Sequence, residues 1–385
     1  MRVAIDGSFL HLPPSGTGTY LRHLLEALTE LDPTIDLRLL EPNWFESSPR
    51  GRGLPGPIAR ALAIRGDARV RRATWDTVGV ARAARRSAPD LLHVPHFAAP
   101  LRSPAPLIVT IHDVIPLIWP EYRASRAMRV NLAVMRRTVR RARLILTPSE
   151  ASARDVERML GIPRRRIRVT PEAAGLEYAP AKDHRAASEV ARCLGVTGRY
   201  VFNVGGLDVR KNLPVLLDAF ARALPRLKEP TRLVIAGAAH SGNPSVFPPL
   251  EPVIARLGLS GQVILPGRLA NADKIALYQA ARLYVTPSLY EGFGLTALEA
   301  MACGVPTIAA NRTSLPEVVG DGGLLVEPEP EALAAAMVRV LNSPDEAEGL
   351  RARGMARAAT FSWRRTAELT HEAYEEASSE RKGEC

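Results

Sequence analysis

The chain has 385 residues, of which 46% are hydrophobic and 24% charged, so it is long enough for two globular domains and is neither disordered nor collagen-like. Its three cysteines, Cys193, Cys303 and Cys385, lie too far apart for a zinc or disulfide framework, which fits a reducing compartment. The net charge of +11 favours an anionic partner such as a membrane surface, a lipid diphosphate or a nucleic acid.

The first residues, MRVAID, form a short apolar run that already contains Asp6, which leaves no room for the apolar region of a signal peptide. The apolar stretch 107–119 is interrupted by His112, Asp113 and Pro116, so it is too short for a membrane span. We therefore expect a cytoplasmic protein that is at most peripheral on the inner face of the cell membrane.

The first half of the chain alternates short apolar runs with helical patterns. Strands are predicted at 2–6, 36–40, 90–94, 107–112, 143–147 and 166–170. A helix is predicted over 19–31, where leucines recur at intervals of three and four residues, and a strongly basic helix over 122–142. The segment 171–199 is rich in Gly, Pro and polar residues, which predicts a linker and the entry to a second domain.

A second series of apolar runs follows the linker, each ending in Gly, Pro or a small residue: YVFNVGG, RLVIAG, QVILPG, RLYVTPS and GVPTIAA. Buried strands joined by helices indicate parallel sheets with helices on both faces. We therefore predict an α/β protein with two Rossmann-like domains, residues 1–170 and 200–361, whose ligands bind at the carboxyl ends of the strands. A C-terminal helix at about 362–380 is expected to pack back on the first domain.

The stretch TPSLYEGFGLTALEAMACGVP, residues 286–306, carries the most chemical information. A strand ends at Thr286, a helix starts near Gly294, and Glu291 and Glu299 lie just before and one turn inside that helix. A Gly-bearing loop that runs into a helix suits a phosphate or diphosphate. The two carboxylates could accept hydrogen bonds from ribose and sugar hydroxyls, or they could be ordinary solvated capping groups.

Two features of the first domain are also candidates. Gly16 and Gly18 lie between the first strand and the helix predicted from residue 19, where they either let the backbone approach a phosphate or acceptor, or only relieve a tight turn. His112 follows a strongly apolar strand, so it is expected at a carboxyl edge that faces the cleft, although an isolated histidine there is often structural.

The segment EGFGLTALE carries the pattern Glu, seven residues, Glu. Together with VGGLDVRKN (204–212), SGTGTY (15–20) and TIHDVIP (110–116), it resembles the retaining, nucleotide-sugar-dependent glycosyltransferases of family 4, the group 1 type. The resemblance covers nearly the whole chain. It implies the GT-B fold, in which two Rossmann-like parallel-sheet domains face a cleft.

Residue by residue, the resemblance implies that Glu299 binds the donor ribose, Glu291 the transferred sugar and Lys211 the phosphates, and that His112 contacts the sugar near the reacting carbon. Many members carry Arg where this chain has Gly206, so Arg210 is expected to supply the second positive charge. The residues implied in donor binding, besides Glu299, are Gly16, Gly18, Gly206, Gly267, Arg268, Gly292, Phe293, Gly294 and Leu295.

The resemblance implies a retaining hexosyltransferase that uses a nucleoside diphosphate sugar and a glycan or lipid-linked acceptor in surface polysaccharide or glycolipid synthesis. GDP-mannose is preferred as donor, with UDP-glucose close behind. The sequence contains no Asp-x-Asp pair to hold a metal, so we expect no metal and no other cofactor. Fixed cations would instead stabilise the departing diphosphate. A sugar-nucleotide epimerase of the same architecture is an alternative.

The positive charge is confined to the first half of the chain. Residues 1–180 hold 28 arginines and no lysine against 17 acidic residues, whereas residues 181–385 hold 23 bases and 23 acids. The basic helix 122–142 is therefore either a solvated face or a docking surface for an anionic membrane. A nucleic-acid-binding protein is a further alternative. Only 5% of the residues are aromatic and no nucleic-acid motif occurs, so we expect no nucleic acid partner.

Overall fold

The computed structural model describes residues 1–11, 15–42, 68–123, 125–238 and 242–379. It divides the chain into two compact units, one made of Met1–Pro171 and the C-terminal segment from Trp363, the other of Glu172–Ser362. Each unit contains a six-stranded sheet in which all neighbouring strands are parallel. The predicted α/β class with two Rossmann-like parallel sheets is confirmed.

The sheet of the first unit has the order β2-β1-β3-β4-β5-β6. Its strands are β1 Arg2–Asp6, β2 Asp36–Leu40, β3 Leu91–Val94, β4 Leu107–Thr110, β5 Leu144–Thr147 and β6 Ile167–Val169. Its helices up to residue 171 are α1 Gly16–Leu31, α2 Ala68–Thr74, α3 Val80–Ser87, α4 Ile115–Ile118, α5 Arg126–Val139 and α6 Glu150–Leu160. Strands β3, β4 and β5 are buried along their whole length, which explains why they are apolar except at His93, Thr110 and Thr147.

Two helix predictions for this unit were wrong in their bounds. Helix α1 begins at Gly16 rather than Thr19, because the Ser15 hydroxyl caps it by accepting the Gly18 N–H at 3.2 Å. Gly16 and Gly18 therefore lie in the first helical turn and not before it. The basic helix begins at Arg126, after a 3₁₀ turn at Pro120–Arg123, because Ser125 caps it in the same way, and it ends at Val139.

The sheet of the second unit has the order β12-β11-β10-β7-β8-β9. Its strands are β7 Arg199–Val204, β8 Thr231–Ala236, β9 Val263–Gly267, β10 Leu283–Thr286, β11 Thr307–Ala310 and β12 Leu324–Val326. Its helices are α7 His184–Cys193, α8 Leu213–Ala223, α9 Glu251–Arg256, α10 Asn271–Ala280, α11 Leu295–Ala302, α12 Leu315–Val319, α13 Pro330–Asn342 and α14 Pro344–Ala358. Helix α7, capped by Asp183, lies inside the segment 171–199 that the sequence predicted as a linker.

The chain returns to the first unit through helix α15, Trp363–Ser379. The buried Tyr374 of this helix places its hydroxyl 2.7 Å from Nδ1 of His93, and Nε2 of His93 lies 2.8 Å from the Thr110 hydroxyl. Burial, reinforced by His112 and His96, lowers the pKa of His93 to about 3. The imidazole is therefore neutral, and it joins α15 to strands β3 and β4.

Candidate active site

The candidate site forms where two neighbouring strands of the second sheet end. Strands β7 and β10 pair in parallel, so the segments that follow them leave the same edge of the sheet. A hydrogen bond of 2.8 Å from the Leu289 N–H to the Arg210 carbonyl oxygen joins these segments. Three residues predicted from the sequence, Arg210, Lys211 and Glu291, are thereby brought together.

The Glu291 carboxylate lies between two cations. Its Oε1 is 2.6 Å from Nζ of Lys211, and its Oε2 is 2.8 Å from Nη1 of Arg210. Only 8% of Glu291 and 6% of Lys211 are exposed. Burial raises the pKa of Glu291, but the charges of Lys211 and Arg210 outweigh burial and lower the pKa to about 2. The carboxylate is therefore ionised and only weakly basic.

The path of the Lys211 side chain depends on a glycine after β7. A Cβ atom added to Gly205 would lie 3.1 Å from Cε and 3.2 Å from Nζ of Lys211. With a larger residue at this position, the end of the Lys211 side chain would have to shift by a few tenths of an ångström. The next residue, Gly206, is half-buried in the same bend, and its contact with a donor stays a prediction.

Arg210 has a partner that the sequence analysis missed. Its Nε lies 3.0 Å from Oδ1 of the buried Asp208, and its Nη1 also donates to the Tyr290 carbonyl oxygen at 3.1 Å. These contacts, together with the one to Glu291, hold the guanidinium beside Lys211. The sequence does carry a signal for this pair. Asp208 lies two residues before Arg210, at the start of the 3₁₀ turn Val209–Lys211.

The loop before α11 ends at Gly294, which caps the helix with a φ of +117°, a conformation that favours glycine. The first N–H groups of a helix have no carbonyl partner within the helix and lie at the positive end of its dipole. The N terminus of α11 therefore offers donors to an anion. Phe293 is buried and its ring packs against Phe361, while Gly292 and Leu295 are half-buried. Contacts of Gly292, Phe293, Gly294 and Leu295 with a donor stay predictions.

Glu299 lies in α11 and has cationic and phenolic partners. Its two carboxylate oxygens are 3.0 and 3.1 Å from Nζ of Lys274, and its Oε2 accepts the Tyr278 hydroxyl at 3.0 Å. The Lys274 ammonium also lies 4.9 Å from the centre of the Tyr178 ring. Glu299 was predicted from the sequence, whereas Lys274 and Tyr278, which α10 supplies, were not.

Gly267 and Arg268 lie apart from this group. They end and follow β9, the edge strand, which is separated from β10 by β7 and β8. Gly267 adopts a φ of +75°, and its carbonyl oxygen accepts the Gly237 N–H at 2.8 Å. The proposed contact of Gly267 and Arg268 with the nucleotide stays a prediction.

The first unit carries the remaining predicted residues. Gly18 is buried in the first turn of α1, where a Cβ would come within 3.0 Å of the Phe9 carbonyl oxygen, whereas Gly16 is exposed. His112 follows β4, is half-buried, and places Nε2 3.2 Å from the Pro95 carbonyl oxygen. Its ring packs edge-on against Tyr20, with the ring centres 4.8 Å apart. Gly18 therefore has a packing role in the first turn of α1. The sugar contact of His112 stays a prediction.

The first unit also contains a group of residues with metal-ligand chemistry. Within the described ranges, the side chains of Asp6, Asp76 and His96 bring one ligand atom each to within 4.8 Å of one another. Arg72 lies among them, 2.9 Å from Nε2 of His96 and 3.0 Å from Oδ1 of Asp76. The arginine charge compensates Asp76, so Arg72, Asp76 and His96 form an ion-pair network within the protein.

Two family models match the chain. The model described as glycosyl transferases group 1 matches residues 194–357, and that described as glycosyltransferase family 4 matches residues 14–177. Among curated proteins, the chain is 34% identical to O-antigen chain mannosyltransferase B of Escherichia coli, over 74% of this chain and 74% of that protein. It is 28% identical to the MMP alpha-(1->4)-mannosyltransferase of Mycolicibacterium hassiacum, over 91% of this chain and 80% of that protein.

Solved structures share the architecture. HepE of Anabaena, crystallised with UDP-glucose, superimposes with a TM-score of 0.72 at 20% identity, over 97% of this chain and 99% of that one. At this identity the likeness concerns the fold alone.

Proposed function

Because the chain belongs to the group 1 glycosyltransferases of family 4 and has their two-domain GT-B fold, we propose that it transfers a hexose from a nucleoside diphosphate sugar with retention of configuration. The observation that carries the proposal is the Glu291 carboxylate between Lys211 and Arg210 beside the N terminus of α11. The family matches favour this function over the epimerase and the nucleic-acid-binding alternatives.

The cations act on the leaving group. When the bond between the anomeric carbon and the phosphate oxygen breaks, negative charge develops on the departing diphosphate. Once the donor is bound, Lys211, Arg210 and the N–H groups of α11 would stabilise that charge more in the transition state than in the ground state. Donor binding would draw Lys211 and Arg210 onto the phosphates and leave Glu291 to accept hydroxyls of the sugar.

The state of the Glu291 carboxylate supports our proposal of retention without a covalent intermediate. While it is paired with Lys211 and Arg210, Glu291 has a pKa of about 2, which makes it a poor nucleophile and a poor base. We propose front-face attack, in which the acceptor oxygen bonds to the anomeric carbon while its proton passes to the departing phosphate oxygen. His112 is proposed to contact the sugar near the reacting carbon.

The substrates are proposed from the relatives. The two mannosyltransferases support mannose as the sugar, and the O-antigen chain relative supports a glycan or lipid-linked acceptor in surface polysaccharide assembly. We propose GDP as the carrier of the mannose. Incubation with GDP-mannose or UDP-glucose and a panel of mannosides, followed by NMR of the anomeric proton, tests this. An α product from the α-linked donor is expected, and a β product would overturn the retaining mechanism.

Replacement of Glu299 by alanine should weaken binding of the nucleoside diphosphate. The loss of charged hydrogen bonds to ribose corresponds to about 1.5–3 kcal/mol, or about a ten- to hundredfold higher dissociation constant. Fluorescence or calorimetric titration of the folded variant measures it. The matched control is Glu331→Ala, which removes an exposed glutamate of the same unit and should not change affinity. Wild-type affinity of Glu299→Ala would remove the residue from the donor site.

We propose that transfer needs no metal, since Lys211 and Arg210 already supply positive charge for the diphosphate. Turnover in excess EDTA should equal turnover in buffer with magnesium. Loss of activity in EDTA that magnesium restores would contradict this proposal.

We also propose that the protein is cytoplasmic and that α5 docks it on the inner face of the cell membrane. The first turns of this helix expose both basic and apolar side chains, namely Arg126, Met128, Arg129 and Val130. At its other end Arg136 and Arg140 donate to the carbonyl oxygens of Met159 and Leu160, so they serve the fold. In the described part of the chain, no helix is long and apolar enough to cross a bilayer.

Vesicle sedimentation tests the membrane proposal. Each arginine near an anionic surface contributes about 1 kcal/mol. Binding to phosphatidylglycerol vesicles at low salt is therefore expected, with much weaker binding to phosphatidylcholine and for the Arg126→Glu, Arg129→Glu double variant. Equal binding to both lipids would refute the proposal.

A further inference from the structure

Thr313 has an unusual backbone. It lies in the turn between β11 and α12 and adopts a φ of +49°, one of three non-glycine residues with positive φ in the described ranges. For a β-branched residue this conformation is strained, and such strain persists only where the surroundings enforce it. A glycine would occupy the turn without strain, so the threonine side chain needs an explanation.

The side chain of Thr313 reaches the candidate donor site. Its Oγ1 accepts the backbone N–H of Glu291 at 3.0 Å. The hydroxyl of the next residue, the fully buried Ser314, is shared between the carbonyl oxygens of Glu291 at 2.9 Å and Phe293 at 2.6 Å. Both polar groups of the Glu291 backbone are therefore held by consecutive hydroxyls.

A third contact comes from the residue that follows. Leu315 packs against the loop so closely that a Cβ atom on Gly294 would lie 3.0 Å from its Cδ2. The turn 313–315 thus supports the loop 291–294 at Glu291, Phe293 and Gly294 in succession. The loop could not shift along the sheet edge without breaking all three contacts.

We propose that Thr313 and Ser314 are positioning residues for the donor: they fix the backbone of the loop 291–294 so that the Glu291 carboxylate meets Lys211 and Arg210 and the N–H groups before α11 face the diphosphate. The proposal rests on the proposed function. The strained conformation is retained because it aims the Thr313 hydroxyl at the Glu291 N–H, which a relaxed turn would not do.

Three variants of Thr313 separate the effect of its hydroxyl group from the effect of its strained backbone. Thr313→Ser keeps the acceptor, Thr313→Val keeps the shape without the acceptor, and Thr313→Gly removes both the acceptor and the strain. We expect the affinity for nucleoside diphosphate to stay within about twofold for Ser and to fall about tenfold for Val and for Gly, equivalent to about 1.4 kcal/mol. The thermal midpoint of the Gly variant should equal or exceed that of the Val variant, because Gly relieves the strain.

The experiment is a titration of wild type and variants with GDP, UDP and ADP, with thermal unfolding in parallel. The matched control is Thr360→Val, an exposed threonine of the same unit, which should bind like wild type. If the wild-type protein binds none of the three nucleotides, both the proposed function and this inference are refuted. If wild type binds one and the Val and Gly variants bind it equally well, only the inference is overturned. If the affinities of the variants fall in the same order as their thermal midpoints, the loss of binding reflects general destabilisation, and the inference is also overturned.

Discussion

Replacement of Lys211 by methionine should lower kcat/KM by about 10²–10³-fold, the loss found when one preorganised group that stabilises transition-state charge is removed. Methionine keeps an unbranched side chain of similar length beside Gly205, so the packing changes little while the charge is lost. The variant also leaves Glu291 buried with one cation fewer. Breaking a buried ion pair costs about 3–5 kcal/mol of unfolding free energy, and we expect the lower end because Arg210 remains.

Steady-state kinetics on protein that is folded at the assay temperature measures the effect. Lys228→Met is the control, because Lys228 is an exposed lysine of the same unit and its loss should leave both activity and stability unchanged. A Lys211→Met enzyme with kinetics within twofold of wild type would show that this lysine does not act on the leaving group.

Acidification should destabilise the protein through His93. The folded-state pKa is about 3, below the ordinary value of 6.5, because burial disfavours the charged imidazolium and the nearby His112 and His96 add to this effect. Between these two pH values the unfolded state binds more protons, so stability falls as the pH drops below 6.5. The loss is about 1.4 kcal/mol per pH unit, or nearly 3 kcal/mol at about pH 4.5. Above pH 6.5 this contribution is constant.

Chemical unfolding at pH 7.5, 5.5 and 4.5 tests this expectation. His93→Gln should be less stable than wild type at pH 7.5 but should lose less stability on acidification. His184→Gln, which removes an exposed histidine, should keep the wild-type pH dependence. Identical slopes for wild type and His93→Gln would show that another group controls the response.

The strands of both sheets were largely predictable because burial on both faces leaves a plain apolar run, as in β4 and β10. The bounds of helices were less predictable from the sequence, since they depend on single capping side chains such as Ser15 and Ser125. Strand β12 was missed because its three residues are only half-buried and too few to form a pattern.

The candidate site was predicted in part. Lys211, Glu291 and Glu299 lie in motifs that carry the family resemblance, whereas Lys274 and Tyr278 come from α10, which carries none of the quoted motifs. One signal was available: only five of the 51 basic residues are lysine, and two of these five contact the two site glutamates. The role of Thr313 could not have been found, because positive φ at threonine arises from tertiary contacts and not from its own preference.

We propose that the second unit binds the diphosphate of a sugar nucleotide with Lys211, Arg210 and the N terminus of α11. Isothermal titration of the purified, folded protein with GDP, UDP and ADP in the presence of EDTA tests it most directly. Saturable one-to-one binding of at least one nucleotide is predicted, with strong weakening in Lys211→Met. Absence of binding for all three nucleotides would show that these groups do not form a diphosphate site.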